Sequence, residues 1–216
     1  MRFGGDVPKQ YLRAAGRTLL EHALDALLVH PRVAGAIIAL AEDDRLWTNQ
    51  TVRAGKPLLR CTGGGERADS VLAALLALPG SAGPDALVLV HDAARPNLDA
   101  GDLHRLIVAA ESCADGAILA APVRDTLKLA DLEHRIEATQ PRERLWRALT
   151  PQAFRRGPLT DALRAARAAG LAVTDEAMAM ERAGVRPRLV EGREDNLKVT
   201  TPADLALAEH LLARRA

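Results

Sequence analysis

The chain has 216 residues, 48% of them hydrophobic, and its 29 basic and 28 acidic side chains leave a net charge of +1. That length builds one sizeable core, and so even a charge balance gives no electrostatic case for nucleic acid or a membrane surface as partner. Two cysteines are too few for a disulfide framework, and no apolar run is long enough to cross a membrane, so a soluble cytoplasmic protein is expected.

At the N-terminus, Gly4-Gly5 followed by Pro8-Lys9 reads either as the tail of a phosphate-handling loop or as an ordinary loose end. Thr18-Leu19-Leu20-Glu21 is a capping box, and apolar residues at helical spacing follow as far as His30-Pro31. Ala36–Leu40 reads as a strand, Glu42–Thr48 as a helical turn and Leu58–Thr62 as a further strand. The last of these runs into Gly63-Gly64-Gly65-Glu66-Arg67-Ala68-Asp69-Ser70. Glycines ahead of a helix let backbone N–H groups approach an anion, with Arg67 and Ser70 as further donors. The alternative is a plain flexible turn in which Ser70 back-bonds within the first helical turn.

Leu87–Val90 is a continuous apolar run suited to a strand buried on both faces, and it breaks at once into His91, Asp92, Arg95 and Pro96. A strand that ends in an acid and a base delivers both to the sheet edge where open α/β folds place ligands. The plainer alternative makes Asp92 a turn cap and Arg95 a solvated charge. Asp99 caps the next helix, and Gly116–Val123 is another buried strand. This alternation predicts a mostly parallel, doubly wound α/β sheet in a single domain spanning the whole chain.

Arg124–Gln140 breaks the alternation. Two short extended pieces about an Asp-containing turn predict a hairpin arm, reaching to about residue 145, that packs most simply on a second copy of itself. Trp146 beyond it is an anchor for either the core or an interface. Leu159–Ala169 is a helix ended by Gly170, and Thr174-Asp175-Glu176 opens another, where it could serve only as a cap. Leu189-Val190 is a short strand leading into the polar run Glu191–Lys198, and the last helix begins at Thr201-Pro202.

PKQYL (Pro8–Leu12), GGGERADSVLAAL (Gly63–Leu75), LVHDAARP (Leu89–Pro96), ILAAPVRDTLK (Ile118–Lys128), LWRALTPQAF (Leu145–Phe154), TDEA (Thr174–Ala177) and VEGREDNLKVTTPADLALAE (Val190–Glu209), in that order, resemble the 2-C-methyl-D-erythritol 4-phosphate cytidylyltransferase family. The resemblance covers nearly the whole chain. It implies a Rossmann-like nucleotidyltransferase of the non-mevalonate isoprenoid pathway, a homodimer joined by the arm. Such an enzyme transfers CMP from CTP to methylerythritol phosphate with a divalent metal, usually magnesium.

By resemblance, Arg2, Lys9 and Lys198 are the catalytic cations, and Gly63, Gly64, Arg67, Ser70 and Asp92 lie on the nucleotide side. Asp92 also stands near the metal. Asp92, Arg95, Thr126, Arg142, Thr150, Thr174 and Asp195 contact the sugar-phosphate substrate, with Thr126 and Arg142 reaching across the dimer. Two departures from the family pattern stand out. The family opens with a strand and an AAGxGxR loop, and this sequence starts at that loop's last basic position, Arg2. Either residues stand upstream or CTP binding is compromised. Gly65 occupies a position where the family usually has an acid. Two other readings are a cytidylyltransferase for another polyol phosphate such as ribitol 5-phosphate, or a non-catalytic dimeric ligand-binding protein on the same fold.

Overall fold

The computed structural model describes residues 7–214. Arg2, Gly4, Gly5 and anything ahead of them lie outside those residues. A 3₁₀ turn at Lys9–Tyr11 leads into a short hairpin, β1 (Arg13–Ala14) and β2 (Arg17–Thr18). Then come α1 (Leu19–Leu28), β3 (Ala36–Leu40), β4 (Val52–Arg53), β5 (Lys56–Thr62), α2 (Arg67–Ala77), β6 (Leu87–Val90), α3 (Ala100–Glu111) and β7 (Ala117–Pro122). The second half holds β8 (Leu127–Ala130), β9 (Ile136–Gln140), β10 (Trp146–Arg155), α4 (Arg156–Ala168), α5 (Glu176–Arg182), β11 (Arg188–Glu191) and α6 (Pro202–Ala213).

The main sheet has the order β11-β7-β10-β6 and sits between helices. Side chains alternate across it, as a period of two demands. Ile118 and Phe154 pack with Val88 and Val90 against α2, α4 and α5, while Leu119, Ala153, Leu87 and Leu89 pack against α3. A second sheet, β3-β5-β4, packs its apolar face on α1 through Leu20, Leu24 and Leu28. The α1 capping box forms as its sequence dictates: Glu21 N donates to Thr18 Oγ1 at 3.2 Å and Thr18 N to Glu21 Oε2 at 2.8 Å.

The α/β fold class is as expected, and two details differ from the sequence reading. The main sheet is mixed: β11 runs parallel to β7, but β10 lies between β7 and β6 and is antiparallel to both. Pro151 disguises that strand, since an interior proline removes a ladder donor, and the β10–β7 register shifts between Ala148 and Gln152 around it. Glu42–Thr48 is not a helical turn. The Asp44 carboxylate accepts from the backbone of Leu46 and Trp47, both at 3.0 Å, and from the Tyr11 hydroxyl at 2.8 Å, which holds a loop instead. Trp146, at 38% exposure, keeps the interface alternative of its two readings and not the core one. The hairpin β8–β9 is present where the arm is expected, and its apolar side chains face outward, with Leu132 99% and Ile136 68% exposed.

Gly116 turns the chain into β7 at φ +77°, and a Cβ there would fall 2.4 Å from Cδ1 of the fully buried Phe154. Gly116→Ala should therefore lower stability by about 2–4 kcal/mol, from left-handed strain plus overpacking. An unchanged urea midpoint would contradict this account of the turn.

Candidate active site

The end of β6 builds the site. Past Val90 the chain turns through residues 91–95, closed by Arg95 N donating to Asp92 O at 3.0 Å. Burial drives the His91 pKa down to about 4, so the ring is neutral at physiological pH. His91 Nε2 lies 3.1 Å from Arg95 O, and Nδ1 lies 2.9 Å from Thr150 Oγ1. The Thr150 hydroxyl in turn accepts from Asp92 N at 3.1 Å. The Arg95 carbonyl can only accept, which places the imidazole proton on Nε2 and leaves Nδ1 to accept from the Thr150 hydroxyl.

Asp92, once so placed, becomes a hub. Arg67 Nε from the first turn of α2 donates to Oδ1 at 2.9 Å, and Lys198 Nζ from the loop before α6 reaches Oδ2 at 2.9 Å. Arg95 Nε stands 3.8 Å from Oδ2. Burial alone would raise the Asp92 carboxyl, but the charges of Arg67 and Lys198 bring its pKa down to about 2. The Lys198 loop is tied to the same strand end. Asn196 O accepts from Arg95 Nη1 at 2.7 Å, Asn196 Nδ2 donates to Thr150 O at 2.8 Å, and Val199 N donates to Ala94 O at 2.8 Å. Lys9 joins from the other end of the chain, its Nζ 3.5 Å from Thr200 O. Lys198 remains 45% exposed and so faces outward from the hub.

The glycine loop closes one side. Gly63 N donates to Leu40 O at 2.7 Å and Gly64 N to Ser70 Oγ at 3.1 Å, and the Ser70 hydroxyl donates back to Glu66 O at 3.2 Å. These N–H groups serve the loop's own shape. Glycine is required at Gly64, where a Cβ would fall 2.2 Å from Asp69 Cβ, whereas a Cβ on Gly65 would meet nothing within 4 Å.

The structure therefore brings Arg67, Asp92, Arg95, Thr150 and Lys198 to one strand end, with Lys9 against the Lys198 loop at Thr200 and with Gly63, Gly64 and Ser70 beside Arg67. Four other expected residues, Thr126, Arg142, Thr174 and Asp195, lie on the loops around it. Thr126 is exposed at the arm's root, and Arg142 donates to Arg124 O there. Thr174 is exposed, its hydroxyl 3.4 Å from Met178 Sδ, and Asp195 is held by Arg193 Nη2 at 2.7 Å. Sequence reasoning gave no role to Glu176 or Gln152. Glu176 is buried against Arg67, and the only signal for it was an acid directly after a cap, which reads equally well as first-turn dressing.

A carboxylate ringed by cations at the end of a strand, flanked by a glycine loop and a helix start, is the arrangement of the α/β nucleotide-binding class, which places ligands outside the ends of its strands. The family model described as IspD, 2-C-methyl-D-erythritol 4-phosphate cytidylyltransferase, matches residues 1–214. The 2-C-methyl-D-erythritol 4-phosphate cytidylyltransferase of Stenotrophomonas maltophilia (strain K279a) is 61% identical over 215 residues, covering 100% of this chain and 93% of that protein. The one from Xanthomonas campestris pv. campestris (strain B100) is 61% identical over 214 residues, covering 99% and 81%. The crystal structure of the Thermus thermophilus cytidylyltransferase superposes with a TM-score of 0.81 at 36% identity, over 96% of this chain and 94% of that one. The chain belongs to the 2-C-methyl-D-erythritol 4-phosphate cytidylyltransferase family. It is a nucleotidyltransferase that moves the cytidylyl group of CTP onto 2-C-methyl-D-erythritol 4-phosphate in isoprenoid precursor biosynthesis.

Asp92 has a folded pKa below its ordinary 3.8. The stability it contributes is present above 3.8 and is lost as pH falls through about 2. Urea unfolding of wild type and Asp92→Asn should differ by about 2 kcal/mol near neutrality, with the gap closing between pH 4 and 2. A gap that stays constant down to the lowest pH would show that the carboxylate's charge is not what holds the site.

Proposed function

We propose that the Asp92 hub arms the transfer by storing Lys198 and Arg67 on one carboxylate, and this arrangement is the observation that carries the residue assignments. An oxygen of the substrate's phosphate monoester forms a bond to the α-phosphorus of CTP. The bond from that phosphorus to the bridging oxygen breaks, and its electron pair leaves with pyrophosphate. A phosphate monoester is already ionised near neutrality, with its second pKa at about 6, so no general base is needed. The difficulty is bringing two anions together, and catalysis consists of positioning and charge neutralisation.

Lys198 is read as the cation that moves from Asp92 to the attacking phosphate, with Arg95 behind it. Lys9 stabilises charge on the α-phosphate and leaving group. Arg2, by the family pattern, does the same. Gly63, Gly64, Arg67 and Ser70 form the nucleotide side. Thr174 and Asp195 line the substrate side, and Thr150 contributes there by setting the Asp92 turn, because its hydroxyl is already engaged.

Magnesium is the proposed metal. Among the described residues, no three His, Cys, Asp or Glu side chains gather into a protein cage. An ionised Asp92 with the nucleotide phosphates supplying the other oxygens suits an ion that is held by few protein carboxylates. When bound, the metal neutralises triphosphate charge and fixes the leaving group.

We also propose a homodimer formed through the arm. Its support is the outward row of Leu127, Leu129, Leu132 and Ile136 on a hairpin that is marginal alone. Thr126 and Arg142 at the arm's root would then complete the partner's substrate side. A cytoplasmic setting fits, and among the described residues no helix is long and apolar enough to cross a membrane.

Pyrophosphate release from CTP and methylerythritol phosphate with magnesium tests the assignment. Lys198→Ala should lower the rate by about 10²–10³-fold, as losing one preorganised donor does, and a wild-type rate in that variant would end Lys198's role. Leu132→Glu with Ile136→Glu should give a monomer in sedimentation with most turnover lost. A fully active monomer would overturn the composite site.

A further inference from the structure

The roles above leave Glu176 unused, yet it is the most deeply buried carboxylate touching the site, at 1% exposure. A buried charge must be compensated by a specific partner. Arg67 is that partner: Nη1 reaches Oε1 at 2.6 Å and Nη2 reaches Oε2 at 3.0 Å. This two-point contact fixes the plane of the guanidinium as well as its place. The remaining nitrogen, Nε, points to Asp92 Oδ1 at 2.9 Å. Arg67 therefore spans from α5 to the end of β6, and each terminal nitrogen keeps a second N–H for a ligand.

Glu176 is itself set from both flanks by one side chain. Gln152 of β10, also 1% exposed, donates from Nε2 to Asp175 Oδ2 at 2.9 Å and accepts at Oε1 from Ala177 N at 2.8 Å. Asp175 Oδ1 caps α5 by accepting from Met178 N at 2.9 Å. The residues before and after Glu176 thus hang on a buried amide, which acts on Glu176 only through Asp175 and Ala177, while Glu176 itself leads through Arg67 to Asp92. Stability alone is a poor reason for such a pair, because buried ion pairs are often no better than apolar packing of equal volume. What the pair supplies is direction.

We propose that Glu176, held by Gln152, is a positioning residue for CTP: it locks the Arg67 guanidinium in the orientation that the nucleotide meets, so that Arg67 neither swings into solvent nor collapses wholly onto Asp92. The proposal rests on the reading of Arg67 as a nucleotide-binding residue. Positioning acts through Arg67, so its signature is dependence on Arg67 and selectivity for CTP over the second substrate.

The test is steady-state kinetics on the full chain for wild type, Glu176→Gln, Arg67→Ala and the double variant, varying CTP and methylerythritol phosphate separately. Loss of one charge-assisted contact should lower kcat/KM for CTP by about ten- to a hundred-fold in Glu176→Gln, with KM for methylerythritol phosphate within about two-fold. In the Arg67→Ala background the same substitution should have no further effect. An undiminished effect in that background, or an equal rise in both KM values, would assign Glu176 a merely structural role and overturn the proposal. Normal CTP kinetics in Glu176→Gln beside an impaired Arg67→Ala would also overturn it while leaving the role of Arg67 intact. Normal kinetics in Arg67→Ala would instead refute the reading of Arg67, and the proposal with it. Should Glu176→Gln fail to fold, Glu176→Asp keeps the charge but withdraws the carboxylate. It is expected to show the same Arg67-dependent rise in CTP KM, and an unaltered CTP KM there counts against the proposal.

Discussion

The site depends on one carboxylate staying ionised while nearly buried. Asp92 is 12% exposed, and desolvation works against its charge; Arg67 and Lys198, each 2.9 Å away, more than offset that. The reverse also holds, because Arg67, Arg95 and Lys198 could not crowd one strand end without an anion among them. Three parts of the chain are joined at this point: the start of α2, the turn after β6 and the loop before α6. None of these contacts is local in sequence, so each element must be placed by its own packing before the hub can close. Core packing does that. Val88 and Val90 anchor β6 to the α2 side, and Leu72 and Leu75 fix α2 against the same cluster.

Neutral groups set the geometry that the charges then use. His91 is held uncharged by burial, and its two nitrogens tie Thr150 to the carbonyl of Arg95. A protonated ring there would add a cation beside Arg95, whose own guanidinium is already destabilised by burial and by the nearby charges of Arg67 and Arg147. The Thr150 hydroxyl is spent at both ends, on Asp92 N and His91 Nδ1. Thr150 thus acts here on the backbone of the turn after β6.

Much of this was legible in the chain. Strong periodicity and caps gave α1 through its Thr18–Glu21 box, α3 from Asp99 and α6 from Thr201-Pro202, and each cap forms the bonds that its residue type predicts. The abrupt change from Leu87–Val90 to His91-Asp92 marks the strand end at which Arg67, Arg95 and Lys198 gather on Asp92. Strand β10 was concealed by Pro151, whose effect depends on a register shift that only the neighbouring strand reveals. The Ser70 hydroxyl took the plainer of its two readings, bonding within the Gly64–Ser70 turn. Glu176 could not be found by spacing at all. Its partner is 109 residues away, and an acid at the first turn of a helix looks the same whether it faces water or an arginine.

The arrangement also explains why the overall charge says so little about the chemistry. A net charge of +1 over 216 residues hides a local excess, in which Arg67, Arg95 and Lys198 face Asp92 and Glu176. The two acids do different jobs because their surroundings differ. Burial pushes the Glu176 carboxyl up while its Arg67 hydrogen bonds pull the other way, and a group 1% exposed has no route to an incoming ligand. Asp92 holds Lys198 at 2.9 Å with the lysine side chain 45% exposed, so its cation stands toward solvent although the carboxylate does not. The two acids thus hold their cations at different depths. The fold separates them by depth, with Asp92 at the mouth of the sheet and Glu176 behind it under the start of α5.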